Sequence, residues 1–218
     1  MDLVNKKILI VGHPRSGTGY ITSLFQELGY SIGHEVMGKD GTCNWTYVIP
    51  DDLCFEWSGF PRNKFKFESI YRSIRDPFKA IPSVAFTETC FNKALSELGW
   101  ANVIRSTEFR SKHLKLPTFN ISKFEHAARS YISWNKMIDD TMEIKGFIRI
   151  ERALEDLKNY MDVPDSINSP KKDVNSRSHS TMTKSNWKSI PSKYLKQLEK
   201  FCLKYDYPSL IDRIERLD

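Results

Sequence analysis

Ile8-Leu9-Ile10-Val11-Gly12-His13-Pro14-Arg15-Ser16-Gly17-Thr18-Gly19 is an aliphatic run that enters a glycine-bearing turn and leaves it as a helix. Four consecutive aliphatic side chains without alternation describe a strand buried on both faces, as parallel strands inside α/β proteins are. Downstream, Ile21, Leu24, Phe25 and Leu28 recur at helical spacing until Gly29 ends the pattern. A second apolar segment starts at Tyr30, so strand, loop, helix and short strand occupy the first 35 residues. That order predicts a βαβ unit with a right-handed crossover.

The turn nearly satisfies the phosphate-binding pattern G-x-x-x-x-G-K-[ST], with Gly12 and Gly17 at the required spacing. Thr18 stands where that pattern has its lysine, and a cation, Arg15, lies inside the loop instead. Backbone N–H groups near Gly17 have no intrahelical acceptors, so they can hold a phosphate while the helix dipole adds attraction. A guanidinium beside such a cradle can hold a bridging oxygen and stabilise charge developing on a leaving group. The exchange of lysine for threonine points away from ATP.

The rest of the chain continues the alternation of strand and helix. A strand is expected at Ser69 to Ile74, followed by a helix opened by Asp76-Pro77 and kinked early by Pro82. An amphipathic helix over Lys123 to Glu143 would bury Ala127, Tyr131, Trp134 and Ile138. A strand at Phe147 to Ile150, a helix from Leu154 to Met161 and a last helix from Ser192 to Tyr205 complete the pattern. Val36 to Asn63, Asn92 to Ser122 and Pro164 to Ile190 read as long loops, where acceptor recognition is expected. Trp45, Trp57 and Phe60 in the first of them read as stacking groups for a sugar or aromatic ring, or as packing anchors.

At 218 residues the chain is sized for one domain, 1–218, and its 13 Phe, 9 Tyr and 5 Trp can fill the core. Lys and Arg outnumber Asp and Glu by 33 to 27, which favours an anionic partner. The basic residues are scattered and no nucleic-acid module is legible, so nucleic acid is not the expected partner. Cys43, Cys54, Cys90 and Cys202 form no C-x-x-C pair, which fits reduced thiols in a cytoplasm. No apolar run approaches the ~18 residues of a membrane helix, so neither a membrane span nor secretion is expected.

Pro14-Arg15-Ser16-Gly17-Thr18 resembles the 5′-phosphosulfate loop of sulfotransferases that use 3′-phosphoadenosine 5′-phosphosulfate (PAPS). Ile74-Arg75-Asp76-Pro77 with Ser83 is similar to the family's 3′-phosphate site, an arginine and a serine eight residues later at a strand end and the next helix. Phe147-Ile148-Arg149-Ile150-Glu151 with Leu154-Glu155-Asp156-Leu157 resembles a further strand and turn, with isoleucine before Glu151 in place of tyrosine. Asn175-Ser176-Arg177 and Trp187-Lys188 resemble the loop that closes over the cofactor, although Trp187 also reads as core. The resemblance implies an α/β, P-loop-NTPase-like three-layer fold with a central, mainly parallel sheet flanked by helices. It also implies transfer of a sulfuryl group from PAPS to a hydroxyl or amine of a small-molecule or glycan acceptor, without a metal. Pro14, Arg15, Ser16, Gly17, Thr18 and Gly19 would hold the phosphosulfate, and Arg75, Ser83 and Arg177 the 3′-phosphate.

A general base should take the acceptor's proton, and His34 and Glu35 stand together at the end of the second strand. In branches of the family that use glutamate it lies about twenty residues after the loop's basic residue, as Glu35 lies twenty after Arg15, which makes Glu35 the first candidate and His34 the second. His13 would touch the sulfate or a backbone group, while His113, His126 and His179 show no metal-ligand spacing. A P-loop nucleotide kinase and a nucleotide-binding protein without turnover are the alternative readings.

Overall fold

The computed structural model describes residues 3–49, 62–87, 111–116, 121–168 and 180–218. Cys54, Cys90, Trp57, Phe60, Arg177 and His179 lie outside the described residues. Five parallel strands, β1 (Val4–Gly12), β2 (Ile32–His34), β3 (Gly41–Cys43), β4 (Phe65–Ile74) and β5 (Gly146–Arg149), form one sheet in the order β2-β3-β1-β4-β5. The described helices are α1 (Thr18–Glu27), α2 (Pro77–Thr87), α3 (Lys123–Thr141), α4 (Ala153–Lys158), α5 (Lys184–Lys188), α6 (Ser192–Lys204) and α7 (Leu210–Glu215).

Two compact units divide the chain, one of Met1–Arg75 with Asn135–Ser176 and one of Asp76–Trp134 with Arg177–Asp218. In the first unit β1 is the central strand, paired with β3 on one side and β4 on the other, which is why Ile8 to Val11 are buried without alternation. Ile8 and Ile10 face Ile21, Leu24 and Phe25 of α1, and Tyr71, Ile148, Ala153 and Leu157 complete that cluster. On the opposite face, Arg72 is the register partner of Val11. Its buried guanidinium bonds Asp139 at 2.5 Å and the Asn135 side-chain oxygen at 2.8 Å, both near the end of α3. Helices thus cover both faces of a parallel sheet, and the protein is α/β.

Strand β3 and the 3₁₀ turn Trp45–Val48 fall inside the first expected loop, and both are buried. Gly41 explains why this strand escapes a reading based on apolar runs. Its φ is 151°, and a Cβ there would collide with the Ile8 carbonyl oxygen, so only glycine lets the chain pair this closely with β1. Strand β4 begins at Phe65, four residues before the expected start, because Phe65 and Phe67 alternate with Lys66 and Glu68 along an extended edge. Helix α2 remains a single helix through Pro82.

In the second unit Trp187 is 1% exposed and stacks on Phe78, with ring centres 5.5 Å apart and planes 7° from parallel. The guanidinium of Arg213 covers the same Phe78 ring at 4.7 Å and pairs with Asp76 through two contacts of 2.5 and 3.0 Å. Trp187 therefore packs in the core of this unit. Helix α5 and the final helix α7, neither of which was expected, carry Trp187 and Arg213 into that arrangement.

Candidate functional site

The β1–α1 loop lies at the C-terminal edge of the parallel sheet, the edge at which α/β proteins hold ligands. Gly12 ends β1 so close to β4 that a Cβ there would stand 2.8 Å from the Ser73 carbonyl oxygen. Arg15 and Gly17 both take left-handed backbone angles, with φ of 76° and 73°. Gly17 caps α1, and a Cβ at that position would meet Ile150 at 2.7 Å. Ile150 follows β5 in the turn that Arg149 and Asp156 fix through a buried ion pair of 2.6 Å. The segment Leu154-Glu155-Asp156-Leu157 thus supports the loop through packing.

The end of β4 and the residue that follows it grip two consecutive carbonyls of the loop. The Ser73 hydroxyl donates to the Ser16 carbonyl oxygen at 2.6 Å, and Arg75 Nη1 donates to that of Arg15 at 3.1 Å. In a trans peptide the N–H points opposite to the carbonyl, so holding the Ser16 carbonyl on β4 turns the Gly17 N–H away from that strand. The Ser16 N–H instead closes a turn onto the His13 carbonyl at 2.9 Å. The Ser16 hydroxyl is fully buried and has no hydrogen-bond partner among the described residues. A buried hydroxyl lacking a partner beside the uncompensated N–H groups of a ten-residue helix fits an anionic ligand.

His34 and Glu35 stand at the same sheet edge, at and just after the end of β2. His34 Nε2 lies 3.0 Å from the Thr18 hydroxyl, which ties the imidazole to the first residue of α1. Glu35 has φ of 60°, and its Oε1 accepts the Trp45 indole N–H at 2.9 Å. Trp45 is 2% exposed, so it is a packing anchor that also orients a carboxylate. Below them, burial pushes the Cys43 thiol up to about 12, with the Glu35 carboxylate adding to that shift.

The remaining expected residues fall as follows. Pro14 is buried within the loop and Gly19 occupies the first turn of α1. His13 is fully buried. Ser83 is fully buried in α2 of the second unit, and its carbonyl accepts the Thr87 hydroxyl at 2.5 Å. His126 Nε2 contacts the Ser111 hydroxyl at 2.9 Å, and His113 lies edge-on to Trp134 with ring centres 6.5 Å apart. Ser73 was not anticipated, because its part in the site follows from being the register partner of Gly12. Among the described residues no group of three or more His, Cys, Asp or Glu side chains is arranged to hold a metal. No described helix is long and apolar enough to cross a membrane. The chain matches no protein-family model, no curated protein and no solved structure.

Proposed function

We propose that this protein is a PAPS-dependent sulfotransferase acting on a hydroxyl or amine of a small-molecule or glycan acceptor. The observation that carries the reading is the grip of β4 on the loop, because Arg75 bonds the backbone of Arg15 and so joins the two segments that resemble the family's 5′- and 3′-phosphate sites. The absence of lysine at Thr18, the buried Ser16 hydroxyl and the cation at Arg15 agree with it.

In this reading the N–H groups of Gly17, Thr18 and Gly19 and the Ser16 hydroxyl hold the 5′-phosphosulfate, with Arg15 stabilising negative charge there. Arg75, Ser83 and Arg177 are assigned to the 3′-phosphate by the resemblance. PAPS supplies an activated sulfuryl group whose bond to the bridging oxygen breaks as the acceptor oxygen or nitrogen attacks sulfur. Positioning and charge stabilisation do most of the work, by analogy with phosphoryl transfer. Glu35 takes the acceptor proton: one oxygen is fixed by Trp45, which leaves Oε2 to act as the base. His34 positions the Thr18 hydroxyl.

Thermal stabilisation by 3′,5′-adenosine bisphosphate, compared with ATP plus Mg²⁺, tests the cofactor. A ligand at a hundred times its dissociation constant adds ~2.7 kcal/mol of stability. Preference for ATP plus Mg²⁺ would overturn the proposal in favour of a kinase. Transfer of label from PAPS to a panel of sugars, lipids, phenols and peptides then tests turnover, and binding with no transfer to any acceptor counts against an enzyme.

A further inference from the structure

Helix α6 buries Leu198 and Cys202 on one side. At 100° per residue, Lys193, Lys196, Lys200 and Lys204 gather on the opposite side, and all four are exposed. Lys193, Lys196 and Lys200 have no carboxylate partner among the described residues. The acidic group of this helix is already engaged: Glu199, on its flank, accepts the N–H groups of Leu210 and Ile211 at 2.7 and 3.1 Å, capping α7. Glu215 of α7 faces Lys184 and Lys188. The four lysines therefore line a ridge about 16 Å long at 1.5 Å per residue, and three of them, Lys193, Lys196 and Lys200, carry the charge that no described carboxylate pairs.

Beside the ridge stands apolar surface. Leu203, one turn after Lys200, is 63% exposed, and Ile211, brought to the same flank by the Glu199 cap, is 42% exposed. These are two of five exposed large apolar side chains among the described residues, Leu203 on α6 and Ile211 at the start of α7, where its backbone N–H meets Glu199 of α6. Single exposed leucines need no explanation, but two beside a four-lysine ridge match an interface that is anionic at its surface and hydrocarbon beneath.

We infer that the outer face of α6 docks on an anionic lipid bilayer, with the lysine ridge against the headgroups and Leu203 and Ile211 entering the acyl boundary. Charge complementarity chooses the anionic surface, and the exposed apolar pair chooses a bilayer over a nucleic acid or acidic polysaccharide. Each lysine at such a surface strengthens binding roughly fivefold, so Lys193, Lys196 and Lys200 together are worth about a hundredfold at low salt, falling as salt shortens the Debye length. The inference rests on the second unit alone and does not depend on the sulfotransferase reading.

Co-sedimentation of the full chain with phosphatidylcholine vesicles, with and without phosphatidylserine, at low and high salt, is the test. The expected result is binding to the phosphatidylserine vesicles only, reversed by salt and weakened at least tenfold in K196E/K200E. L203S should weaken binding while leaving its salt dependence unchanged. These positions are exposed, so unchanged melting temperatures of both variants confirm that folding is not the cause. Equal binding to both vesicle types, failure to bind either, unaltered binding of K196E/K200E, or retention on heparin or duplex RNA without vesicle binding would overturn the inference.

Discussion

Arg75 Nη1 donates to the carbonyl oxygen of Arg15 at 3.1 Å, joining residues 60 apart in sequence across the neighbouring strands β4 and β1. The contact makes the end of one strand part of the loop that follows the other. A guanidinium carries five donors in a fixed plane, and one of those of Arg75 braces the loop.

Replacing Arg75 by alanine should raise the dissociation constant for 3′,5′-adenosine bisphosphate by roughly 10- to 100-fold, the worth of a hydrogen bond to a charged group. Arg75→Lys should recover only a small part of this, since an ammonium cannot reproduce the planar fork. Calorimetric titration of the bisphosphate measures both. Unchanged affinity in Arg75→Ala would confine this arginine to supporting the Arg15 carbonyl.

Ser73→Ala removes the 2.6 Å bond to the Ser16 carbonyl and leaves that buried oxygen without its donor. The expected loss is about 1–3 kcal/mol of stability by denaturant unfolding, together with weaker nucleotide binding. Gly12→Ala attacks the same junction from β1, because the new Cβ would press on the Ser73 carbonyl at 2.8 Å and the Ser73 Cβ at 3.2 Å. If Ser73→Ala lost stability but kept full nucleotide affinity, its hydroxyl would support the fold without shaping the cradle.

Ile8 to Val11 and the 21, 24, 25, 28 spacing made β1, α1 and the loop between them legible, since each element states its period within a few residues. Gly41-Thr42-Cys43 states no period. Its strand exists because a neighbouring strand accepts a glycine at close range, and that is a property of the tertiary structure. Arg15, Gly17, Thr18, His34, Glu35 and Arg75 were each visible as residue types, and the structure brings Thr18 to His34 and Arg75 to Arg15. Ser73 was not visible as a site residue, and Trp45 was visible as a stacking group or packing anchor but not as the partner of Glu35. Ser73 acts through the register of β4 on β1, and Trp45 reaches Glu35 only because the chain returns through β3.

Cys43 and Cys202 have thiols pushed up to about 12, chiefly by burial. An unfolded thiol titrates near ~8.5, so both groups bind protons more tightly in the folded state. Their contribution to stability is therefore complete below that value and declines as pH climbs from there towards 12. Denaturant unfolding should show a falling midpoint across this range, with a shallower fall in Cys43→Ala. In mildly alkaline buffer, alkylation followed by peptide mapping should find both cysteines protected until the chain unfolds. Rapid native-state labelling of Cys43 would show that the site below Glu35 is open to solvent.

In the proposed reading Glu35 is the base, and two features of its turn support that assignment. Its backbone is held at φ of 60°, unfavourable for a residue with a side chain, and its Oε1 is fixed by an indole from ten residues further on. Strain and orientation together aim a carboxylate. Glu35→Gln preserves shape and the indole contact but cannot take a proton, so turnover should fall by roughly 10²- to 10⁴-fold with affinity for the bisphosphate nearly intact. Trp45→Phe keeps most of the packing and deletes only the donor. It should lower kcat by about 3- to 10-fold, the worth of one hydrogen bond, with little change in KM for PAPS. His34→Ala should act differently, raising KM for PAPS through the Thr18 hydroxyl that it holds at 3.0 Å. Full turnover in Glu35→Gln accompanied by loss of kcat in His34→Ala would transfer the base to the imidazole.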